Sequence, residues 1–473
     1  MSIELHYKTI TELADLLRTR KVSPVEVTEA MLRRIEELDP RYKSYATVMT
    51  DYAVEAAKRA EDEITRGNYK GPLHGVPIAV KDLCFTDGVR TMGGSKVMAD
   101  HVPNFDATVV ARLEAAGSVL LGKLNLTEGA MGGYNQEFDV PLNPWNVDRW
   151  AGASSSGSGV STALGLCYGS LGSDTGGSIR FPAAACGTVG LKPTWGRVSR
   201  YGVLALAESL DHVGPLTRSS ADAGIMLMAI AGLDPKDPTT LPAPVSNVLG
   251  DIEKGVEGVR IGVDESYITD GVDPELSRAV LEGIKILEGL GAEIVEMKMP
   301  EVDRYIPFWQ TLCTAEAVAA HRQFYPSRRD EYGPYFQGWL DKGANVSGAD
   351  YAEANNQRNE CSGLLQLALQ GIDALACPST IGPAHPITLE QMYGPRDPDR
   401  DPAYQRFTVP YDYNGSPTLS VPCGLNNDGM PLSIQFVGHP LSEALLCRIG
   451  HSYEYATEWH ETHPSVGGEP VAT

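Results

Sequence analysis

The chain changes its hydrophobic rhythm several times along its length. After Ser23 the apolar residues Val27, Met31, Ile35 and Leu38 recur every three or four positions, the stripe of an amphipathic helix. Ser23 precedes Pro24 and stands three residues before Glu26, the pattern of a capping box with proline at the first helical position. YAVEAAKRAEDEITRG repeats the helical period and ends at Gly67, so the first hundred residues read as mostly helical. A short apolar run, HGVPIAVKDLCF, then reads as a strand bounded by Pro72 and Gly88. DATVVARLEAAGSVLLGKLN is helix, a turn at Gly117 and a buried strand. Strand, helix and strand return in VRIGV, ELSRAVLEGIKILEGLG and AEIVEM. The runs IDALACP, PTLSVPCG and MPLSIQFVG read as strands, before a last helix from Ser442 to Ala456 and a frayed tail. This alternation predicts an α/β fold with a mixed, largely covered sheet.

Residues 140–205 break the rhythm, being rich in glycine, serine and alanine and poor in charge. Polar Gly-Ser stretches are usually flexible linkers. Here they interleave with Val, Leu and Trp, so the segment reads as closely packed backbone, with GVSTALGLCYG a buried helix. A proline-rich connection, Pro235 to Pro244, leads on to the strand–helix–strand unit that begins at VRIGV.

Charge and composition narrow the function. A formal charge of −22 with no run of lysine or arginine argues against nucleic acid or an anionic membrane surface as partner. No stretch of about 18 apolar residues could span a bilayer. The N-terminal MSIELHYKTITELADLLRTRK is amphipathic and charged, unlike a signal peptide. The eight cysteines are scattered, none in C-x-x-C, which reads as reduced thiols in a cytoplasmic protein. The N-x-[ST] matches at Asn125, Asn345 and Asn414 are then accidental.

The densest chemistry is in LGSDTGGSIRFPAAACG, Leu171 to Gly187. Gly176 and Gly177 free the backbone before Ser178, so this serine is either a nucleophile beside amides that hold an oxyanion, or a helix N-cap. GSVLLGKL nearly matches a phosphate-binding loop, but Leu124 stands where a hydroxyl is needed. GSGVST lacks the third glycine of a dinucleotide fingerprint, and no His/Cys cluster has metal-ligand spacing. None of the ten histidines lies in a glycine-rich stretch; His74 and His212 read as structural. Lys81, at the end of an apolar strand, can supply the missing base. About one free lysine in 2,500 is neutral at pH 7, and burial raises that fraction steeply. The alternative is a buried ion pair between Lys81 and Asp82.

GASSSGSGVSTALGLCYGSLGSDTGGSIRFPA, Gly152 to Ala183, resembles the signature segment of the amidase signature family, ending in Asp-x-Gly-x-Ser-aliphatic-Arg-x-Pro. GVPIAVKD, GKLNLTE, NPWN, GLKPTWGRVSRYGV, ESLDHVGPLTRS, GSPTLSVPCG and MPLSIQFVG are similar to the family's flanks, so the resemblance spans residues 5 to 455. It implies one amidase unit over 1–473, with a large mixed central sheet covered by helices on both faces. Residues 1–70 are then a helical N-terminal part, 71–235 the catalytic core, and 245–460 a part completing sheet and pocket. It implies a catalytic triad of Ser178 as nucleophile, Ser154 as bridging serine after a cis Ala153–Ser154 bond, and Lys81 as base. Thr175, Gly176, Gly177 and Ser178 would form the oxyanion hole, with Asp174 and Arg180 as structural support. Ser155 and Ser156 would pack backbone. Gly129, Ala130, Met131 and Gly132 would line a roomy apolar acyl pocket, completed by loops within 129–140, 305–345 and 380–415.

The implied activity is hydrolysis of C–N bonds in amides, extending to aryl amides, esters or carbamates, through an acyl-enzyme. The partner is a small-molecule amide or carbamate; no cofactor, metal, nucleic acid or membrane is implied, and the protein is a cytoplasmic monomer or homodimer. The alternative within the family is the amidase subunit of a glutamyl-tRNA amidotransferase. Against it, YGPYFQGWLDKG holds no arginine for a glutamine α-carboxylate, and Gln405 of QRFTVP stands where that subunit has aspartate, although Arg406 could substitute.

Overall fold

The computed structural model describes residues 5–397 and 402–466. The first four residues of the amphipathic N-terminal stretch, four positions of the expected pocket loop 380–415 and the tail past residue 466 lie outside them. Eleven strands form one sheet: β1 (Tyr45–Val48), β2 (Pro77–Lys81), β3 (Val119–Leu124), β4 (Gly169–Asp174), β5 (Val189–Lys192), β6 (His212–Thr217), β7 (Arg260–Val263), β8 (Glu293–Glu296), β9 (Ala374–Pro378), β10 (Thr418–Leu425) and β11 (Pro431–Gly438). Their order across the sheet is β1-β3-β2-β4-β6-β5-β10-β11-β9-β7-β8. β2 lies parallel between β3 and β4, and β7 parallel between β9 and β8. From β4 to β9 every neighbouring pair is antiparallel, as is β1 at the edge, so the sheet is mixed.

Both faces of the sheet's centre are covered. Side chains alternate between the faces of a strand, yet every residue of β2, β3, β4, β5, β6, β9 and β11 is buried. The apolar runs PIAVK and VLLGKL therefore read as continuous, not alternating, in keeping with the parallel arrangement around β2. Helices such as Ser156–Ala163, Ser220–Ile230 and Glu443–Thr457 form the covering layers. Among the described residues no helix is long and apolar enough to cross a membrane, and all eight cysteines are buried and unpaired.

Local expectations hold in outline and shift in detail. The helix Pro24–Tyr42 buries Val27, Met31 and Ile35, with Leu38 half-buried at the stripe's end. Ser23 Oγ accepts the Glu26 N–H at 3.1 Å; reciprocal capping boxes form instead at Thr9 with Glu12, Ser347 with Asp350 and Thr388 with Gln391. The predicted buried helix GVSTALGLCYG is only half helix. Helix Ser156–Ala163 stops, the chain turns at Gly165 (φ +61°), and β4 starts at Gly169. β4 (GSLGSD) and β6 (HVGPLT) carry glycine, serine and proline, residues poor in intrinsic strand preference. Pairing with each other over six positions makes them strands.

Candidate active site

Lys81 ends β2 and is fully buried. Its Nζ lies 2.6 Å from Ser154 Oγ, 2.9 Å from Ser155 Oγ and 2.9 Å from Ser173 Oγ. No carboxylate among the described residues forms an ion pair with it; Asp82 turns away, taking the Met92 N–H at 3.0 Å and facing Lys123 Nζ at 3.6 Å. The expected alternative, a Lys81–Asp82 pair, is thus not formed. Burial pushes the pKa of Lys81 down to about 7, because an ammonium surrounded by hydroxyls loses hydration that no anion in contact replaces; Cys84, Asp174 and Asp211, farther off, oppose the shift.

The three hydroxyls come from two segments of the chain. Ser173 is on β4, the parallel neighbour of β2. Ser154 and Ser155 precede helix Ser156–Ala163, and the Ala153–Ser154 peptide bond is cis. The hydrogen of Ser155 is committed to the Ser173 carbonyl at 3.2 Å, and its oxygen also accepts the Ser173 N–H at 3.2 Å. Toward Lys81 it can therefore only accept. Ser156, by contrast, takes the Tyr134 hydroxyl at 2.7 Å and does not reach the lysine.

Ser178 sits in the turn from β4 to helix Arg180–Cys186 and is half-buried. Asp174 organises this turn. Its carboxylate accepts the N–H groups of Gly177 (2.7 Å) and Ile179 (2.9 Å) and the Arg180 guanidinium (2.8 and 3.1 Å). Arg180, itself fully buried, also binds Asp412 at 2.7 Å and the Thr408 carbonyl at 3.0 Å. The bond from Gly177 corrects the expectation of four free amides: that N–H is directed at a carboxylate three residues back. Gly177 is required by its φ of +125°, and a Cβ there would lie 2.4 Å from the Phe181 ring.

A cavity of about 40 Å³ reaches Ser178, lined by Ala130, Met131, Gly132, Ala153, Trp309 and Gln405 among others. Trp150, Phe181, Tyr335 and Tyr404 lie on its wall and also on that of a second cavity of about 940 Å³, so a narrow aromatic throat opens into a wide chamber. Of the four residues expected in the acyl loop, Gly129 does not line the throat; its N–H goes to the Gly93 carbonyl at 3.0 Å and its α-carbon abuts the Phe336 ring. Among the described residues no charged side chain lines the throat. Arg406 is committed to Asp303 at 3.0 and 3.1 Å.

His74 is buried, its Nε2 2.9 Å from the Glu63 carboxylate and its Nδ1 accepting the Lys70 N–H at 3.1 Å, and takes no part in this cluster. His212 lies behind the turn, its Nδ1 3.2 Å from the Asp174 carbonyl and its Nε2 3.2 Å from Lys192 Nζ. A carbonyl can only accept, so Nδ1 carries the proton and Nε2 accepts from Lys192. Sequence reading missed the contacts of Ser173 and Ser155 with Lys81 and that of Trp309 with the turn. Only the juxtaposition of hydroxyl-bearing Ser173 with a glycine-rich turn hinted at the first, and nothing local pointed to the last.

The model of the Amidase family matches residues 26–447. The chain is 45% identical over 458 residues to "Putative amidase AmiD" of Mycobacterium tuberculosis, covering 97% of this chain and 96% of that protein. It is 38% identical over 484 residues to a subunit of the glutamyl-tRNA(Gln) amidotransferase of Geobacter metallireducens, covering 97% of this chain and 99% of that protein. Among solved structures, a peptide amidase in complex with chymostatin superimposes with a TM-score of 0.85 at 30% identity, covering 97% of this chain and 99% of that one. The protein is a member of the amidase family, an amidase built on the amidase signature fold.

Proposed function

We propose that the protein hydrolyses amides through an acyl-enzyme on Ser178, with Ser154 as proton bridge and Lys81 as base. One observation carries this reading: a buried lysine, without an ion pair among the described residues, in contact with a hydroxyl at 2.6 Å. A neutral amine has two hydrogens and one lone pair. Ser155 can only accept, so it holds one hydrogen, and Ser173 can hold the other. The lone pair is then left for the Ser154 hydroxyl.

Lys81 draws the Ser154 proton as Ser154 draws that of Ser178. Ser178 Oγ bonds to the carbonyl carbon, and the carbonyl's π pair moves to oxygen, held by the N–H groups of Thr175, Gly176 and Ser178. Collapse breaks the C–N bond, and the amine leaves with the proton returned through Ser154. Water then repeats the sequence on the acyl ester. Acid–base help contributes about 10²–10⁴-fold, and each oxyanion donor about 10²–10³-fold. Asp174 and Arg180 support the turn. The aromatic throat suits neutral amides with an apolar or aromatic substituent, aryl amides among them, and likewise esters and carbamates. In this reading the whole chain acts as one unit, a cytoplasmic monomer or homodimer that needs no cofactor.

The amidotransferase reading has the 38% identity to one of that enzyme's subunits in its favour. The uncharged throat and the engagement of Arg406 by Asp303 favour hydrolysis of uncharged amides, although Arg396 lines the chamber beyond. The test is amine release from a panel of amides, anilides, esters and carbamates by the pure protein and by Ser178→Ala. Release by the parent and its loss in the variant are expected. Turnover by Ser178→Ala at the parent's rate refutes the acyl-enzyme, and turnover that appears only with a co-purified partner favours the amidotransferase.

A further inference from the structure

A peptide unit is planar, with its C=O and the next residue's N–H pointing in opposite directions. Whatever holds a carbonyl of the turn therefore aims the following amide. The carbonyl of Asp174 takes the His212 Nδ1–H at 3.2 Å, that of Thr175 the Trp309 indole N–H at 2.8 Å, and that of Gly176 the Thr408 hydroxyl at 2.8 Å. The Gly177 carbonyl is held within the following helix by the Phe181 N–H at 2.7 Å. His212 thus aims the Thr175 N–H, Trp309 the Gly176 N–H and Thr408 the Gly177 N–H. The last of these is already spent on Asp174, so Thr408 acts by fixing the second peptide of Gly176, from which the first peptide, with the Gly176 N–H, is hinged. Trp309, from the helix Ile306–His321, therefore governs an amide that stays available to the substrate. It also presses on that residue: a Cβ on Gly176 would lie 2.6 Å from the indole ring. The indole is buried and forms part of the throat wall.

We propose that Trp309, with Thr408 beside it, is a positioning residue for the oxyanion: the indole N–H holds the Thr175 carbonyl so that the Gly176 N–H faces the oxygen of the tetrahedral intermediate. This role rests on Ser178 being the nucleophile. A donor on the carbonyl also polarises the peptide and strengthens its N–H. Trp309 acts through the peptide and not on the reacting atoms, so its loss weakens the transition state more than the ground state.

The variants Trp309→Phe, Thr408→Val and Thr408→Ser separate these effects. Each is assayed for kcat and KM on one aryl amide and for affinity toward an aryl trifluoromethyl ketone. With the ketone, Ser178 Oγ bonds to the carbonyl carbon, the π pair moves to oxygen, and the hydroxyl proton passes toward Ser154 and Lys81. Labelling of Ser178 by a fluorophosphonate, read by mass spectrometry, reports the nucleophile independently. In Trp309→Phe, kcat and ketone affinity are expected to fall about 10- to 100-fold, less than outright loss of an oxyanion donor, while KM changes by no more than about threefold. Thr408→Val shows a smaller fall of the same kind, and Thr408→Ser restores it. Should Trp309→Phe not fold, the Thr408 pair carries the comparison. If Ser178 is labelled but KM and ketone affinity move by the same factor, or neither moves, Trp309 is only a pocket wall and the assignment is wrong. If the parent's Ser178 takes no label, the nucleophile is wrong instead.

Discussion

Two buried lysines on adjacent parallel strands meet opposite fates. Lys81 ends β2 and Lys123 sits one residue before the end of β3, and neither has any exposed surface. Lys123 has a carboxylate, Asp82, at 3.6 Å, along with the Thr91 hydroxyl at 2.6 Å and the Cys84 carbonyl at 2.5 Å. Lys81 has three hydroxyls and, among the described residues, no anion in contact. Burial pulls both pKa values down, but at Lys123 the nearest opposing charge is in contact. Burial alone does not make a base of a lysine. What separates the two is which neighbour stands close: a carboxylate opposes loss of the proton more strongly than hydroxyls do. The reversal at Asp82 is what sorts them, since successive residues at the strand's end turn to different surroundings.

Lys81→Met is expected to lower kcat on amides by about 10²–10⁴-fold, the worth of general acid–base catalysis, with the fold retained by circular dichroism. An unchanged kcat would remove the distinction altogether. Lys123→Met should leave kcat per folded molecule intact but cost about 3–5 kcal/mol in denaturant unfolding, because Asp82 is left buried without its partner. Adding Asp82→Asn should recover most of that loss. A third expectation concerns pH. Lys81 must be neutral to act, so kcat/KM should fall about tenfold for each pH unit below its pKa, which burial puts at about 7, and level off above it. A profile flat from pH 5 to 9 would assign the base elsewhere. The smallest effect is expected from Ser173→Ala. Losing one acceptor disfavours the ammonium, so the acid limb should move to lower pH by no more than about one unit, or 1.4 kcal/mol.

Much of the site was legible because its chemistry is local. Asp174, the two glycines, Ser178 and Arg180 lie within seven positions, and the turn they make depends on neighbours in the chain. The apolar run ending at Lys81 marked a buried strand with an ionisable end, and β2 is that strand. The fate of the Gly177 amide was less legible, since four amides near a serine look equivalent until the Asp174 carboxylate selects one of them. β4 and β6 escaped notice for the reason that makes them useful. Their glycines, serines and proline lack the apolar alternation of a half-exposed strand, and six paired positions in the sheet override that weakness.

By itself the sequence determined the family, the α/β class and the residues that carry charge and hydroxyls at the turn, because these follow from side-chain chemistry and short spacings. Only the tertiary structure decided which lysine would lie without an anion, which of four amides would stay open, and that an indole 131 residues beyond Ser178 would hold the peptide before Gly176. Those outcomes depend on strand order and on contacts between elements far apart in the chain, where a displacement of a few tenths of an ångström separates a hydrogen bond from none.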